Sequence, residues 1–216
     1  MPVAGSWQQV FGDEFNGSTL DRSRWSDLDG WSMNNVTTRG SNVAVSGGNL
    51  VLTLSSSSEG AEVDSSPADG AGANGFMLQT GDYVEARINF PGDSSGRLYN
   101  WPAWWASGPN WPAAGEHDIA EVLSGELTVN YHSPSGAHNQ GAVSGSWANS
   151  FHVYGLHVLP GRAEVYWDGK LVKSYATDDN GQGQALLINV GRSGSAVTGA
   201  ASQVKVDWVH AYRPTN

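Results

Sequence analysis

Apolar and polar residues alternate with a period of two along most of this chain, in runs that are short and end at turn residues. Residues 83–90 (YVEARINF) alternate most regularly and predict a strand, closed by Pro91-Gly92-Asp93 and the residues up to Gly96. The same rule picks out 127–132 (LTVNYH), 151–159 (FHVYGLHVL), 163–167, 170–175, 185–190 and 204–212 (VKVDWVHAY). Pro160-Gly161 and Asp168-Gly169 link three of these runs as hairpins, and Ser46-Gly47-Gly48-Asn49 divides 42–55 into two more strands. Residues 7–15 (WQQVFGDEF) form a further strand, broken by Asn16-Gly17-Ser18. Two stretches lack the pattern. Residues 56–75 are so rich in serine and glycine that they predict a surface loop, and 133–145 predict another.

No run carries the spacing of an amphipathic helix longer than a turn or two, and no internal repeat is present. About a dozen short strands in a chain of 216 residues imply one all-β domain spanning 1–216. The expected architecture is a β-sandwich jelly roll of two antiparallel sheets.

Composition narrows the partners. The chain has 11 Lys and Arg against 21 Asp and Glu, a formal charge of −10 that repels polyphosphate and argues against nucleic acid. A neutral polymer is compatible with it. Cysteine is absent, which excludes disulfides and thiolate metal sites. No apolar run approaches the ~20 residues of a membrane span. Low lysine content and abundant Gly, Ser, Asn and Trp suggest a secreted protein whose leader has been removed, and a monomer is expected.

The chemistry concentrates in residues 110–123, NWPAAGEHDIAEVL. Alternation sends Glu116 and Asp118 to one face of a strand and His117 to the other, and would leave Glu121 on the wrong side. One extra residue at Ile119-Ala120, a β-bulge, brings Glu121 round to join the other two acids. Carboxyls held so close cannot all ionise at their ordinary pKa, the condition for a general acid beside a carboxylate nucleophile. A solvated strand face or a calcium site of three carboxylates are the plainer readings of the same residues. Trp101, Trp104, Trp105 and Trp111 just upstream favour a sugar site, because sugars need flat apolar faces beside acids.

Other motifs are weaker. Gly92-Asp93-Ser94-Ser95-Gly96 satisfies GxSxG but no helical pattern follows it, as a hydrolase elbow requires. Asp178-Asp179-Asn180-Gly181 lacks the remaining ligands of a calcium loop and reads as a turn.

EHDIAE at 116–121, with WPAWWASGPNWPAAGE before it, GDEFNG and GGNLVLTL near the start and VDWVHAY near the end, resembles glycoside hydrolase family 16, the laminarinases, lichenases, agarases and relatives. The resemblance covers nearly the whole chain and implies an all-β sandwich with a substrate cleft on the concave face. It implies a retaining, endo-acting hydrolase of a β-linked polysaccharide, β-1,3-glucan before mixed-linkage glucan or galactan. A transglycosylase or a non-catalytic glycan-binding module are the rivals. It implies Glu116 as nucleophile, Glu121 as acid/base and Asp118 as the residue that tunes Glu116. Retaining enzymes place the two carboxyls about 5 to 5.5 Å apart. A straight strand would separate these α-carbons by about 13 Å, so the glutamates must lean together and the strand must curve.

The resemblance further implies Trp105 as the cleft tryptophan, Trp104 as core, Trp101 and Trp111 as sugar platforms, and Trp31 with Asn35 as a far wall. His117 departs from the family's branched aliphatic. Asn130 stands where many laminarinases have histidine, and His132 lies two residues on, on the same face, so either is a candidate to reach the acids. No cofactor is implied for catalysis. A structural calcium ion is, with Asp207 as its side-chain ligand and the carbonyls near Glu14 and Gly48 completing it.

Overall fold

The computed structural model describes residues 1–193 and 202–215. In chain order the strands are β1 (Trp7–Asp13), β2 (Ser32–Met33), β3 (Val36–Thr38), β4 (Val43–Ser46), β5 (Asn49–Thr53), β6 (Glu59–Asp64), β7 (Tyr83–Asn89) and β8 (Trp101–Ser107). They continue as β9 (Glu116–Leu123), β10 (Glu126–Ser133), β11 (Gly136–Ala142), β12 (Phe151–Leu159), β13 (Arg162–Trp167), β14 (Lys170–Ala176), β15 (Ala185–Gly191) and β16 (Gln203–Pro214). Two single 3-10 turns, Gly40–Asn42 and Pro67–Asp69, are the only helical pieces among the described residues.

These strands make the expected sandwich. One sheet runs β14-β13-β12-β7-β16-β5-β4, with β1 also paired to β16; the other runs β11-β10-β9-β8-β15-β6-β3-β2. Pairing is antiparallel except between β3 and β6, which run parallel, a correction to the all-antiparallel expectation. The core lies between the sheets, where Trp104, Trp167, Tyr154, Leu156 and Ile188 are fully or almost fully buried. A buried indole removes roughly 200 Å² from water, about 5 kcal/mol at ~25 cal/mol/Å². Trp25 is also wholly buried and its N–H is satisfied by Asp13 Oδ2 at 3.1 Å.

Two expected loops are strands. Residues 59–64 form β6 within the second sheet, and Gly60 to Ser66 are buried. Their serine and glycine content conceals this because packing comes from neighbours: a Cβ on Gly60 would sit 2.2 Å from the carbonyl oxygen of Val190, so only glycine allows the approach. Residues 136–142 form β11, an edge strand too exposed to show alternation.

Candidate active site

The bulge lies where the pattern places it. β9 pairs with β8 through Trp104↔Ala120 and Trp105↔Asp118, and with β10 through Thr128↔Glu121 and Asn130↔Asp118, so the register shifts on both sides at Ile119-Ala120. Ile119 and Ala120 are both wholly buried, two consecutive apolar residues on the core side. His117 is buried there too, with Nδ1 2.9 Å from the Tyr175 hydroxyl. Glu116, Asp118 and Glu121 are left on the opposite face and line one cleft of about 340 Å³.

Each acid has distinct partners. Glu121 accepts the Trp101 indole N–H on Oε1 at 2.7 Å and the Asn130 amide on Oε2 at 2.6 Å. His132 Nε2 lies 3.4 Å from Asp118 Oδ2 and 3.6 Å from Glu116 Oε1, near enough to pair as an imidazolium. At 3.4 Å the contact with Asp118 is long for a hydrogen bond, and it joins charge attraction to whatever bonding that distance allows. Asn130 and His132 therefore divide the work, one holding the last acid and the other facing the first two.

Burial dominates the electrostatics. It pushes the Glu116 carboxyl up to about 7, helped by the charge of Asp118 and opposed by His132 and Trp111. It pushes Asp118 up to about 6. Glu121 is also raised by burial and by Glu116, against the pull of its Trp101 and Asn130 donors. His132 is raised, first by its contact with Asp118. The cluster thus holds fewer negative charges than carboxyls near neutral pH, and its protons belong to the group rather than to one residue. The donor atoms of Glu116, Asp118 and His132 lie within 4.8 Å of one another, a spacing that would also suit a metal ion.

The aromatic residues are dispersed. Trp105 lines the cleft and donates to Asn189 Oδ1 at 3.1 Å, while Trp104 points into the core. Trp111 is 59% exposed, with its ring 6.4 Å from that of His132, which suits a platform at the cleft edge. Trp31 is exposed and lines an adjoining cavity. Asn35 sits with φ 63° in the turn between β2 and β3 and is not among the residues lining the described cavities. Asp207 is paired with the Arg87 guanidinium.

Several lining residues escaped the sequence reading. Asn189 supports Trp105 from an otherwise apolar strand, and that polar interruption of ALLINVG was its signal. Ala137, His138 and Asn139 of β11 form a wall, and no alternation announced them.

Comparison with known proteins bears on the family and the fold. Residues 31–210 match the model of the Glycosyl hydrolases family 16. Glucan endo-1,3-beta-glucosidase A1 of Niallia circulans is 26% identical over 210 residues, a match covering 78% of this chain. The chain spans only 29% of that relative's length. Among solved structures, the endo-beta-1,3-glucanase from Pyrococcus furiosus superposes with a TM-score of 0.76 at 20% identity, covering 97% of this chain and 95% of that one. The laminarinase catalytic domain from Thermotoga maritima gives 0.76 at 20% identity, covering 98% and 100%.

Proposed function

From the premise that the chain belongs to glycosyl hydrolase family 16, we propose that it is a retaining, endo-acting hydrolase of a β-linked polysaccharide, β-1,3-glucan of the laminarin type foremost. The observation that carries the proposal is the placing of Glu116 and Glu121 on one cleft face by the bulge at Ile119-Ala120. The named activities of the Niallia circulans, Pyrococcus furiosus and Thermotoga maritima proteins support the choice of glucan.

In the first step Glu116 attacks the anomeric carbon while Glu121 passes its proton to the departing oxygen, giving a glycosyl ester on Glu116. Glu121 then takes a proton from water, which displaces the ester and restores the starting configuration. The mutual influence of the two acids suits this cycle. Glu116 as an anion raises the pKa of Glu121 and keeps the acid protonated. Once Glu116 is esterified that charge is gone, so Glu121 becomes the stronger acid and resides as the base the second step needs. His132 favours the ionised forms of Glu116 and Asp118. Protein carboxyls supply the nucleophile, the acid and the base of this cycle.

Reducing-end release from laminarin, lichenan, agarose and arabinogalactan tests the reading, with Glu116→Gln as control. We expect laminarin to be cut and the variant to lose activity on the order of 10³-fold or more while still binding oligosaccharide. Turnover by Glu116→Gln near the wild-type rate would remove the role assigned to Glu116; activity on galactans alone would change the substrate and leave the mechanism.

A further inference from the structure

Beyond the acids of β9, the same sheet face continues into a second cavity of about 580 Å³, and Trp105 lines both spaces. In this second cavity β6 contributes Glu62 and Asp64, which repeat the i, i+2 spacing of Glu116 and Asp118, and Asp69 adds a third carboxyl. Glu62 is only 1% exposed, and its Oε2 has no hydrogen-bond partner. Asp64 accepts the backbone N–H of Ser66. Burial, with the charge of Asp64 behind it, pushes the Glu62 carboxyl up to about 8.

No lysine, arginine or histidine occurs among the described residues lining this cavity. None of the three carboxyls is paired with a cation from the lining, and an ammonium group brought by a ligand would favour the ionised forms that burial disfavours in Glu62 and Asp64. The other side chains indicate its chemistry. Trp31 and Trp105 line the cavity with indole rings, and aromatic faces beside carboxylates are how proteins hold organic ammonium groups. A plain hydroxyl would need the rings as a stacking surface but would leave the surplus of acid unexplained.

We propose that this second cavity is a subsite for a sugar bearing a protonated amino group, so that the groove accepts a free amino sugar in preference to its N-acetylated form at a position remote from the bond that is cut. β6 lies three strands from β9, in the order β9-β8-β15-β6, or about 14 Å at ~4.8 Å per strand. An oligosaccharide lying across the strands reaches from one set of acids to the other. The inference rests on the proposed function only in laying a glycan along the groove.

The test is calorimetric titration of the Glu116→Gln protein with a β-linked glucosamine oligosaccharide, its N-acetylated counterpart and a laminari-oligosaccharide of equal length, at a pH where the amines are protonated. We expect the amino oligosaccharide to bind about tenfold tighter than the N-acetylated one or better. Adding Glu62→Gln or Asp64→Asn should shrink that preference to about twofold or less. Equal affinity for the two amine-derived ligands, with both acids in place, overturns the proposal without recourse to a variant of β6. A preference that survives both substitutions overturns it as well. An amine preference in a protein whose wild type cuts no glycan would support this subsite while sinking the catalytic reading.

Discussion

The indole N–H of Trp167, at the end of β13, donates to the backbone carbonyl of Ile119 in β9 at 3.0 Å, across the interior of the sandwich. A bulge disturbs the regular ladder, and this carbonyl sits at the bulge, inside the core. Trp167 satisfies it from the other sheet. The kink that lines up the three acids is therefore held partly by a residue that never meets the cleft. Trp167→Phe keeps an aromatic ring and deletes the donor. We expect it to cost about 1 to 3 kcal/mol of stability and to lower kcat more than it changes KM. Thermal unfolding beside steady-state kinetics on laminarin checks this; a lowered Tm with kcat untouched would limit Trp167 to packing.

His132 should set the acidic limb of activity. As an imidazolium it favours ionised Glu116, whose carboxyl burial holds up to about 7. Replacing it with Gln removes that influence, so the Glu116 pKa rises, and the pH below which the nucleophile is protonated moves upward. The profile of kcat/KM against pH for His132→Gln should therefore lose its acidic side first. An unmoved acidic limb would mean that His132 acts on substrate alone.

Trp101 should act on the opposite limb. Its N–H and the amide of Asn130 both favour the Glu121 carboxylate. Trp101→Phe deletes one donor, so Glu121 holds its proton to higher pH and the alkaline limb of kcat/KM shifts upward. A downward shift would contradict the assignment of that limb to Glu121.

Much of this site was visible in the sequence, and the limits of what was visible have a physical cause. Strict alternation left Glu121 on the wrong face, and two adjacent apolar residues, Ile119 and Ala120, gave the bulge a place with both side chains buried. Asn130 and His132 were assigned to one face, yet their division of labour depends on a register that only the paired strands display. β6 went unread because its burial is tertiary: Gly60 is needed against Val190, and the acids of EVD look like surface until the cavity around them is seen. The pairing of Asp207 with Arg87, 120 residues away in the chain, has no local signal at all.

Glu62 should make the protein less stable as pH rises. Its carboxyl titrates at about 8 when folded, against an ordinary 4.5. A raised acid contributes stability that is fully present below the unfolded value and is lost as pH rises toward the folded one. Glu62→Gln removes this dependence. The variant should gain on the wild type between about pH 4.5 and 8, by on the order of a few kcal/mol near neutrality, and show no such gain in acid. Urea unfolding across that range measures it, and a gain that is constant with pH would point to packing.

A chelator should leave hydrolysis unchanged. Glu116, Asp118 and His132 have the dimensions of a cation site, but the proposed chemistry uses their protons and charges directly. Activity on laminarin after dialysis against EDTA should match that before it. Loss of activity restored by a divalent ion would assign those three residues to a metal.

The strand Gln203–Pro214 pairs with β5 over residues 203–206, with β7 over 205–212 and with β1 over 209–214. It follows every one of its partners in the chain, by more than a hundred residues in each case. A nascent polypeptide leaving the ribosome therefore exposes the bare edges of three strands until Val204 to Tyr212 emerge to fill the gap between them. Translation that stalls in that interval leaves a half-built sheet open to the wrong neighbour, so crowding and synthesis rate bear on the yield of this protein before any substrate reaches it.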